Sequence, residues 1–380
     1  MRHGYRCWAE VDLNALRENL AWIRHRVGPG VKILTVVKAD AYGHGLKQIA
    51  ALLMQSGTDV FGVANLAEAR AIRGVGRGWP ILMLGACLPD ERAEAIRDDV
   101  MVTISSFEEA GEFSAAAVKL GRAAQLHVKV DTGMGRLGIE PEHAAGLIAR
   151  IESLPALNLK GLYTHFSSAE DDASFTARQG RRFQEVLREL NLPPDDWEFL
   201  HANNSAAVLL EQGTLFNTIR PGLLVYGVLP PGRRRVKSRL KDEVTPALTW
   251  KCRVGLVKSI TRGTPLSYGH MFKAPRQMRV ATITAGYGDG YLRSGSGRVR
   301  VLIGGRRCPV VGRITMDQMI ADVSRVPTVK PGDEVVLIGS QDGDRITASD
   351  LAGWAGTIPW EVLTAITYRV PRVYRGVQAS

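Results

Sequence analysis

Short apolar runs alternate with stretches of helical periodicity through the first part of the chain. Eight runs have the length and β-branched composition of buried strands, at 31–37, 60–63, 81–84, 101–104, 126–130, 159–164, 199–201 and 218–220. Helical patterns fall between them at 66–73, 89–98, 107–120, 141–151 and 175–190. A further helix is predicted after Asp12, a residue type suited to the N-cap, from the spacing of Leu13, Leu16, Leu20 and Ile23. Eight alternating β and α units predict a parallel (β/α)8 barrel.

The rhythm changes beyond residue 240, where strand-like segments follow one another without long helical patterns. They lie at 248–256, 278–284, 299–303, 308–311, 319–323 and 334–338. Turn signals such as Gly304-Gly305 and Asp342-Gly343 separate them. We therefore predict an α/β barrel domain over 1–240 and a mainly β domain over 241–380. The opening strand near 5–11 is expected to pack with the second domain.

The chain carries a formal net charge of +11, and its most basic segment is 233–239, RRRVKSR. That segment follows Pro230-Pro231-Gly232 and contains no aromatic residues for base stacking. A solvated linker explains it better than a nucleic-acid site. We expect no nucleic-acid partner.

Cysteine usage and hydropathy indicate the compartment. Cys7, Cys87, Cys252 and Cys308 are far apart and lack metal-ligand spacing, so free buried thiols are expected, with no disulfide and no metal. No apolar run reaches the length of a membrane-spanning helix, and the first residues lack the apolar core of a signal peptide. These features predict a cytoplasmic protein without a membrane partner.

Lys38 ends the apolar run 31–37 and is followed by Ala-Asp-Ala-Tyr-Gly-His-Gly, which includes Tyr42. Burial lowers the pKa of a lysine toward that of a free amine able to attack a carbonyl. A lysine that only reaches solvent from a strand end is the alternative. Other reactive residues also lie at the C-terminal ends of predicted strands or just beyond them: Lys129, Asp131, Arg136, His165, His201, Asn204, Ser205, Arg220 and Gly222. In barrels this is the catalytic face, where the last loops commonly bind phosphate.

Segment 127–138, HVKVDTGMGRLG, is the second strong signal. Strand alternation places Lys129 and Asp131 on one face. An ion pair at a strand end, followed by a glycine turn, is the alternative without chemistry. Together with the Lys38 segment, however, this stretch resembles alanine racemases. The similarity covers nearly the whole chain, from the first strand to 368–374, YRVPRVY.

The resemblance implies that Lys38 covalently carries pyridoxal 5′-phosphate (PLP). Arg136 would contact the PLP ring oxygen and the substrate carboxylate, and Lys129, if carbamylated, would hold Arg136 in place. The other barrel residues implied to line or support the PLP ring and phosphate are Tyr42, His165, His201, Asn204, Ser205, Arg220 and Gly222. An arginine facing the pyridine nitrogen leaves that nitrogen unprotonated, which favours proton transfer at Cα.

The β domain contributes further residues by the same resemblance. Tyr268, in Ser-Tyr-Gly, is implied to be the second catalytic base, supplied across a homodimer interface. Met316 and Asp317 would contact the substrate from the same partner. Tyr287, Arg293 and Arg313 resemble residues that line the substrate entrance. Without that resemblance, Ser-Tyr-Gly would be an ordinary turn sequence.

One position departs from the family pattern. Where the family has Asn-Tyr-Glu or Gly-Tyr-Glu, with the tyrosine hydroxyl at the PLP phosphate, this chain has Pro359-Trp360-Glu361. An indole offers only one N–H donor and a larger ring. Phosphate anchoring and selection of substrate size are therefore expected to differ at Trp360.

These features predict a homodimeric enzyme that interconverts L-alanine and D-alanine with two bases, Lys38 on the D-face and Tyr268 on the L-face. A racemase of serine or another small amino acid is the nearest alternative because of Trp360. A single-barrel PLP carrier without turnover is another, against which the β domain argues. Supply of cell-wall precursors and catabolism of alanine are both open as physiological roles.

Overall fold

Eight parallel strands form a closed barrel in the first part of the protein. The computed structural model describes residues 4–191, 196–209, 216–230 and 243–376. A first strand, β1 (Cys7–Asp12), lies outside the barrel. The barrel strands are β2 (Lys32–Val36), β3 (Val60–Val63), β4 (Ile81–Ala86), β5 (Met101–Ile104), β6 (Ala124–Lys129), β7 (Leu157–Tyr163), β8 (Phe199–Asn204) and β9 (Thr218–Arg220). Each lies in or overlaps one predicted run, so the predicted barrel is confirmed.

Helices cover the outside of the barrel. They are α1 (Leu13–Val27), α2 (Leu46–Met54), α3 (Leu66–Arg73), α4 (Arg92–Arg97), α5 (Phe107–Leu120), α6 (Pro141–Glu152), α7 (Ala173–Leu190) and α8 (Ser205–Leu209). Asp12 caps α1 as predicted, because its carboxylate accepts the N–H groups of Asn14 and Ala15 at 2.9 and 3.2 Å. The predicted helix at 89–98 begins as a 3₁₀ turn, Pro89–Glu91, before α4. The sequence patterns did not predict α2.

The second part of the protein is mainly β, as predicted. Its elements are β10 (Leu248–Ile260), β11 (Pro265–Leu266), β12 (Phe272–Lys273), β13 (Met278–Ile283), β14 (Arg300–Ile303), β15 (Arg306–Val311), β16 (Met319–Asp322), β17 (Glu334–Gln341), β18 (Asp344–Ile346), α9 (Ala348–Ala355), α10 (Pro359–Thr364) and β19 (Arg372–Arg375). Antiparallel pairings join β10, β17, β14, β15, β16 and β13 into a ring that returns to β10. Closing the ring leaves few free strand edges.

The strand β1 joins the barrel to this ring. It pairs antiparallel with β10, with Cys7 opposite Cys252, and parallel with β19. All four cysteines are free and buried, as predicted. The α1 side chain Asn19 also donates to the carbonyls of Val225 and Thr245, at 3.0 and 2.8 Å. The strand β1 thus belongs to the sheet of the second part, and the chain passes from it directly into α1 of the barrel.

The sequence predictions also concern the basic segment, the domain boundary, membrane-spanning helices and metal sites. The basic segment 233–239 and the predicted boundary at 240 lie outside the described residues. Within the described ranges, no helix combines the length and the apolar composition needed to span a bilayer. Nor do the described His, Cys, Asp and Glu side chains form a group of three or more that could hold a metal ion.

Candidate active site

A cavity of about 780 Å³ opens at the carboxyl ends of the barrel strands. Ten residues singled out from the sequence line it: Lys38, Tyr42, Lys129, Arg136, His165, Asn204, Ser205, Arg220, Gly222 and Trp360. His201 lies behind Arg220 in the barrel interior and is fully buried. The barrel mouth thus gathers residues that are widely separated in the chain.

Lys38 opens a left-handed helical turn that the sequence analysis did not predict. Ala39, Asp40, Ala41 and Tyr42 have φ from 51 to 54° and ψ from 41 to 56°. Each such residue costs about 1–2 kcal/mol relative to the right-handed form, so the surroundings must hold the turn. Asp40 contributes by accepting the N–H of Leu46 through Oδ1 at 2.7 Å.

The C-terminal strand β19 supports this turn from behind. Arg372 donates from Nε to the Gly43 carbonyl at 2.9 Å, and the Tyr374 hydroxyl donates to the His44 carbonyl at 3.1 Å. His44 Nδ1 lies 2.9 Å from the Tyr42 carbonyl, so this nitrogen carries the proton and donates. The conformation that presents Lys38 therefore depends on contacts with the far end of the chain.

The electrostatic setting of Lys38 favours the neutral amine. Burial, followed by the nearby guanidinium of Arg136, lowers the pKa of Lys38, while the carboxylate of Glu68 opposes this effect. Glu68 was not predicted to belong to the site. It accepts the N–H of Ala39 and of Ala64, both at 2.7 Å, and so ties the turn to the next loop. Its capping pattern, three residues after an N-cap asparagine, was the available signal.

The loop that carries Arg136 is held by the carboxylate of Asp131. That carboxylate accepts the N–H groups of Gly133, Met134 and Gly135, at 2.9, 2.7 and 2.8 Å. Burial alone would raise the pKa of Asp131, but these donors hold it below its ordinary value. Asp131 therefore stabilises the turn that leads to Arg136. The sequence alone had left open whether this segment formed only an ion pair at a strand end.

Lys129 lies at the end of β6 and lines the same cavity. Burial, followed by the positive charges of Arg136 and Arg220, lowers the pKa of Lys129 to about 8. Its Nζ lies 5.5 Å from the ring centre of Tyr163. The uncharged amine is therefore more populated near neutral pH than it would be in an exposed lysine.

Arg220 begins a buried chain of imidazoles that fixes their tautomers. Its guanidinium lies 3.2 Å from His165 Nδ1 and 2.5 Å from His201 Nδ1, and a guanidinium can only donate. The proton of neutral His201 therefore sits on Nε2, which lies 3.2 Å from His127 Nδ1. A side chain at Gly161 would collide with the His127 ring. His127 was not predicted to belong to the site.

Among Arg220 and the imidazoles that follow it, the positive charge lies on Arg220. Burial lowers the pKa of the Arg220 guanidinium to about 10, so it stays protonated at neutral pH. Burial, followed by Arg220 itself, lowers the pKa of His127 to about 3. The same two causes hold the pKa values of His165 and His201 well below their ordinary value. Arg220 is thus a cation in contact with neutral imidazoles.

The buried histidines should make the fold sensitive to acid. Burial lowers the pKa of His44 from 6.5 to about 4, a penalty on the charged form worth about 3 kcal/mol. Between these values the unfolded chain binds the extra proton. The free energy of unfolding should therefore be highest above pH 6.5 and fall as the pH drops through 4.

Urea titrations over this range check the effect. His44→Asn keeps a donor near the position of Nδ1 and removes the titration, so the slope of stability against pH should fall by about 1.4 kcal/mol per unit. His25→Asn, at an exposed position on α1, is the control and should leave the slope unchanged. An unaltered slope in His44→Asn would contradict the assignment.

A small polar cradle lies between the last two barrel strands. Ser205 Oγ accepts the N–H groups of Gly222 and Leu224, at 2.9 and 3.4 Å. A Cβ at position 222 would lie 2.5 Å from the Tyr42 hydroxyl, so the glycine is what lets these groups approach. Asn204 accepts the Ala207 N–H at 3.0 Å and begins the adjoining turn. The cradle brings hydroxyl and N–H groups together at one side of the cavity.

The predicted residues of the β domain form a second group, on neighbouring loops. They are Tyr268, Tyr287, Arg293, Arg313, Met316 and Asp317. None of them is among the described residues that line the barrel cavity. Tyr268 is 71% exposed and Met316 is 52% exposed, so both side chains point away from the core. Arg369 holds Asp317 through an ion pair of 2.7 Å.

Comparison with known proteins agrees with this arrangement. Residues 11–230 match the alanine racemase N-terminal domain, and residues 247–374 match the alanine racemase C-terminal domain. The alanine racemase of Halothermothrix orenii is 40% identical over 97% of this chain and 96% of its own length.

Two solved structures share the whole architecture. The alanine racemase of Streptomyces lavendulae superposes with a TM-score of 0.92 at 33% identity, covering 99% of both chains. The alanine racemase of Bartonella henselae, which has covalently bound pyridoxal phosphate, gives a TM-score of 0.88 at 27% identity, covering 98% of this chain and 100% of that one. Both domains, their order and their full-length relatives show that this chain belongs to the alanine racemase family of isomerases.

Proposed function

We propose that this protein is a PLP-dependent alanine racemase that interconverts L-alanine and D-alanine by proton transfer at Cα. The observation that carries the proposal is the juxtaposition of the Lys38 amine, with its lowered pKa, and the buried Arg220 cation in one cavity. An uncharged amine is the form that binds an aldehyde covalently. The family relationship supplies the substrate class.

The residues of the cavity fit PLP. Lys38 would bind it, and the cradle of Ser205, Gly222 and Tyr42 offers donors for a phosphate at a place where a Cβ would fill the space. Asn204 and Trp360 line the same region. His165 and Arg220 would face the pyridine ring. When bound, PLP would stabilise the negative charge that remains at Cα after a proton leaves.

The charge of Arg220 explains why this site favours racemisation. Its guanidinium donates to His165, His201 and two backbone carbonyls, so its position is fixed from several sides. It cannot give up its proton easily, because its pKa is about 10. A donor facing the pyridine nitrogen leaves that nitrogen unprotonated and limits the electron withdrawal that other PLP reactions need.

Arg136 would bind the substrate carboxylate, and Lys129 would hold Arg136 in place. Two positive charges so close repel each other, which is part of the reason that the pKa of Lys129 falls to about 8. Addition of the neutral Lys129 amine to carbon dioxide, with loss of one amine proton to water, would form a carbamate and replace that repulsion with attraction. Arg136 would then be held as a donor toward the carboxylate.

Inversion at Cα needs one base on each face of the substrate. Lys38 would serve the D-face and Tyr268 the L-face. Tyr268 lies on an exposed loop outside the cavity of its own chain, which supports a homodimer with shared active sites. Met316 and Asp317 of the partner would contact the substrate, while Tyr287, Arg293 and Arg313 would line its entrance.

We propose a cytoplasmic location for the protein and a boundary between its two domains near residue 240.

The deciding experiment combines cofactor trapping with a substrate panel. Protein incubated with PLP and reduced with borohydride should carry the pyridoxyl group on Lys38 in a peptide map. L-Alanine should racemise faster than L-serine and other small amino acids. A trapped lysine without turnover would identify a PLP carrier instead, and a preference for L-serine would identify the alternative racemase.

Replacing Trp360 with tyrosine tests the departure from the family pattern. Trp360→Tyr should change the ratio of alanine to serine turnover more than it changes PLP affinity, because the indole ring occupies part of the cavity. One phosphate hydrogen bond is worth about 1 kcal/mol, or about a fivefold change in the dissociation constant of PLP. Ser205, Tyr42 and the N–H groups near Gly222 remain in the variant.

Equilibrium titration of the apoprotein with PLP and steady-state rates on both amino acids measure the two quantities. Trp22→Tyr, on α1 and outside the cavity, is the matched control. Much tighter PLP binding with an unchanged substrate ratio would show that Trp360 acts at the phosphate alone.

A further inference from the structure

Ser267, the residue before Tyr268, has a backbone conformation that is almost exclusive to glycine. Its φ is 62° and its ψ is −177°. A residue with a Cβ is disfavoured there and persists only where its surroundings determine the conformation fully. Such outliers concentrate at functional sites, where the strain aims a neighbouring group. Here the neighbouring group is the exposed phenol of Tyr268.

Contacts from one loop hold the strained residue in place. We call residues 267–271 the tyrosine loop and residues 312–317 the facing loop. Ser267 Oγ donates to the Arg313 carbonyl at 2.7 Å. Gly312, with φ of 73°, lies so close that a Cβ there would be 2.8 Å from Ser267 Cβ. At the other end of the tyrosine loop, Arg313 Nε lies 2.9 Å from Met271 Sδ. Both ends of the tyrosine loop are therefore fastened to Arg313 of the facing loop.

The direction of the Tyr268 side chain is set by the backbone of its loop and not by packing around the phenol. The phenol is 71% exposed, so packing within its own chain does little to direct it. The backbone at Ser267 sets the direction in which the side chain leaves the loop. The facing loop carries Met316 and Asp317, so the same hydrogen bond also sets the position of Tyr268 relative to those residues.

We propose that Ser267 is a positioning residue for proton transfer on the L-face, because its hydroxyl bond to Arg313 holds the backbone that aims Tyr268. The inference rests on the proposed two-base racemisation. Ser267 touches neither substrate nor cofactor in this role. It acts by keeping the tyrosine loop in a backbone conformation that a serine without this hydrogen bond would not retain.

Two substitutions separate the hydrogen bond from the strain. Ser267→Ala removes the bond and keeps the Cβ, so the loop should relax toward an ordinary conformation. Ser267→Gly removes the bond but allows the observed φ and ψ freely. Ser114→Ala is the matched control, since Ser114 Oγ donates to the Pro155 carbonyl at 2.7 Å from ordinary helix α5.

Racemisation by Ser267→Ala should fall by about 10- to 100-fold, the scale for a displaced catalytic group. Ser267→Gly should lose less, and Ser114→Ala should match the wild type. The primary isotope effect should rise with L-alanine deuterated at Cα, because cleavage by Tyr268 becomes slower. With D-alanine deuterated at Cα, cleavage belongs to Lys38 and the isotope effect should not rise. A general loss of stability would not produce this asymmetry.

Amide hydrogen exchange of the tyrosine loop gives a readout that needs no activity. Ser267→Ala should exchange faster than wild type in peptides spanning 265–273, with no change in barrel peptides. Unchanged exchange, or equal isotope effects in both directions, would overturn the proposal. A wild-type protein that fails to racemise any amino acid would overturn the proposed function instead, and the exchange result would still decide the role of Ser267 in the loop.

Discussion

Lys38→Ala should abolish both the covalent retention of PLP and racemisation. Lys38 is the cavity lysine that opens the left-handed turn, and burial favours its uncharged form. We propose that it is both the attachment point and one of the two bases. Loss of a general base alone costs about 10²- to 10⁴-fold, and loss of the attachment point adds to that.

Absorbance spectra before and after borohydride reduction, with a peptide map, measure retention directly. Lys47→Ala, on the exposed face of α2, is the matched control and should retain both properties. Melting temperatures of both variants separate loss of the amine from loss of the fold. A reducible PLP adduct that persists in Lys38→Ala would place the attachment at another residue, and Lys129 in the same cavity is the next to examine.

Mixed dimers of Lys38→Ala and Tyr268→Phe chains should recover activity that neither parent has. In a mixed dimer, one site receives an intact Lys38 and an intact Tyr268, whereas the other site lacks both. Random exchange of subunits in a twofold dimer should therefore restore about one quarter of the wild-type rate. The basis is the separation of Tyr268 from the cavity of its own chain.

Two affinity tags allow the mixed species to be purified and counted. A mixture of Lys38→Ala with the double variant Lys38→Ala/Tyr268→Phe is the control, because it contains no intact lysine and should stay inactive. Verified mixed dimers without activity would show that each site draws both residues from one chain. Activity in the Tyr268→Phe parent would show that Tyr268 is not the second catalytic base.

The strands could be predicted closely because parallel strands are buried on both faces and read as continuous apolar runs. The predicted runs 60–63, 101–104 and 218–220 coincide with β3, β5 and β9. The helix α9 was missed, although Thr347 and Asp350 form a capping box at its start. β19 was missed because a strand of only four residues carries a weak local pattern and forms through its pairing with β1.

The left-handed turn after Lys38 could not be predicted from local sequence. Ala-Asp-Ala-Tyr has no glycine, and nothing in these residues favours positive φ strongly. Its conformation depends on contacts such as that of Arg372 with Gly43, 329 residues apart. His127 was missed for a related reason: only the fold shows that its ring completes the imidazole chain behind Arg220.

The pairing of β1 with β19 has a consequence for how the protein is made. During synthesis the barrel strands emerge long before Arg372 and Tyr374, the residues that brace the turn at Lys38. A nascent chain that has folded its barrel therefore still lacks the support that β19 gives to its reactive amine, and β1 has neither partner strand. Cofactor attachment should accordingly follow release of the chain. A ribosomal product that stops before Arg372 would hold a barrel whose lysine is incorrectly presented.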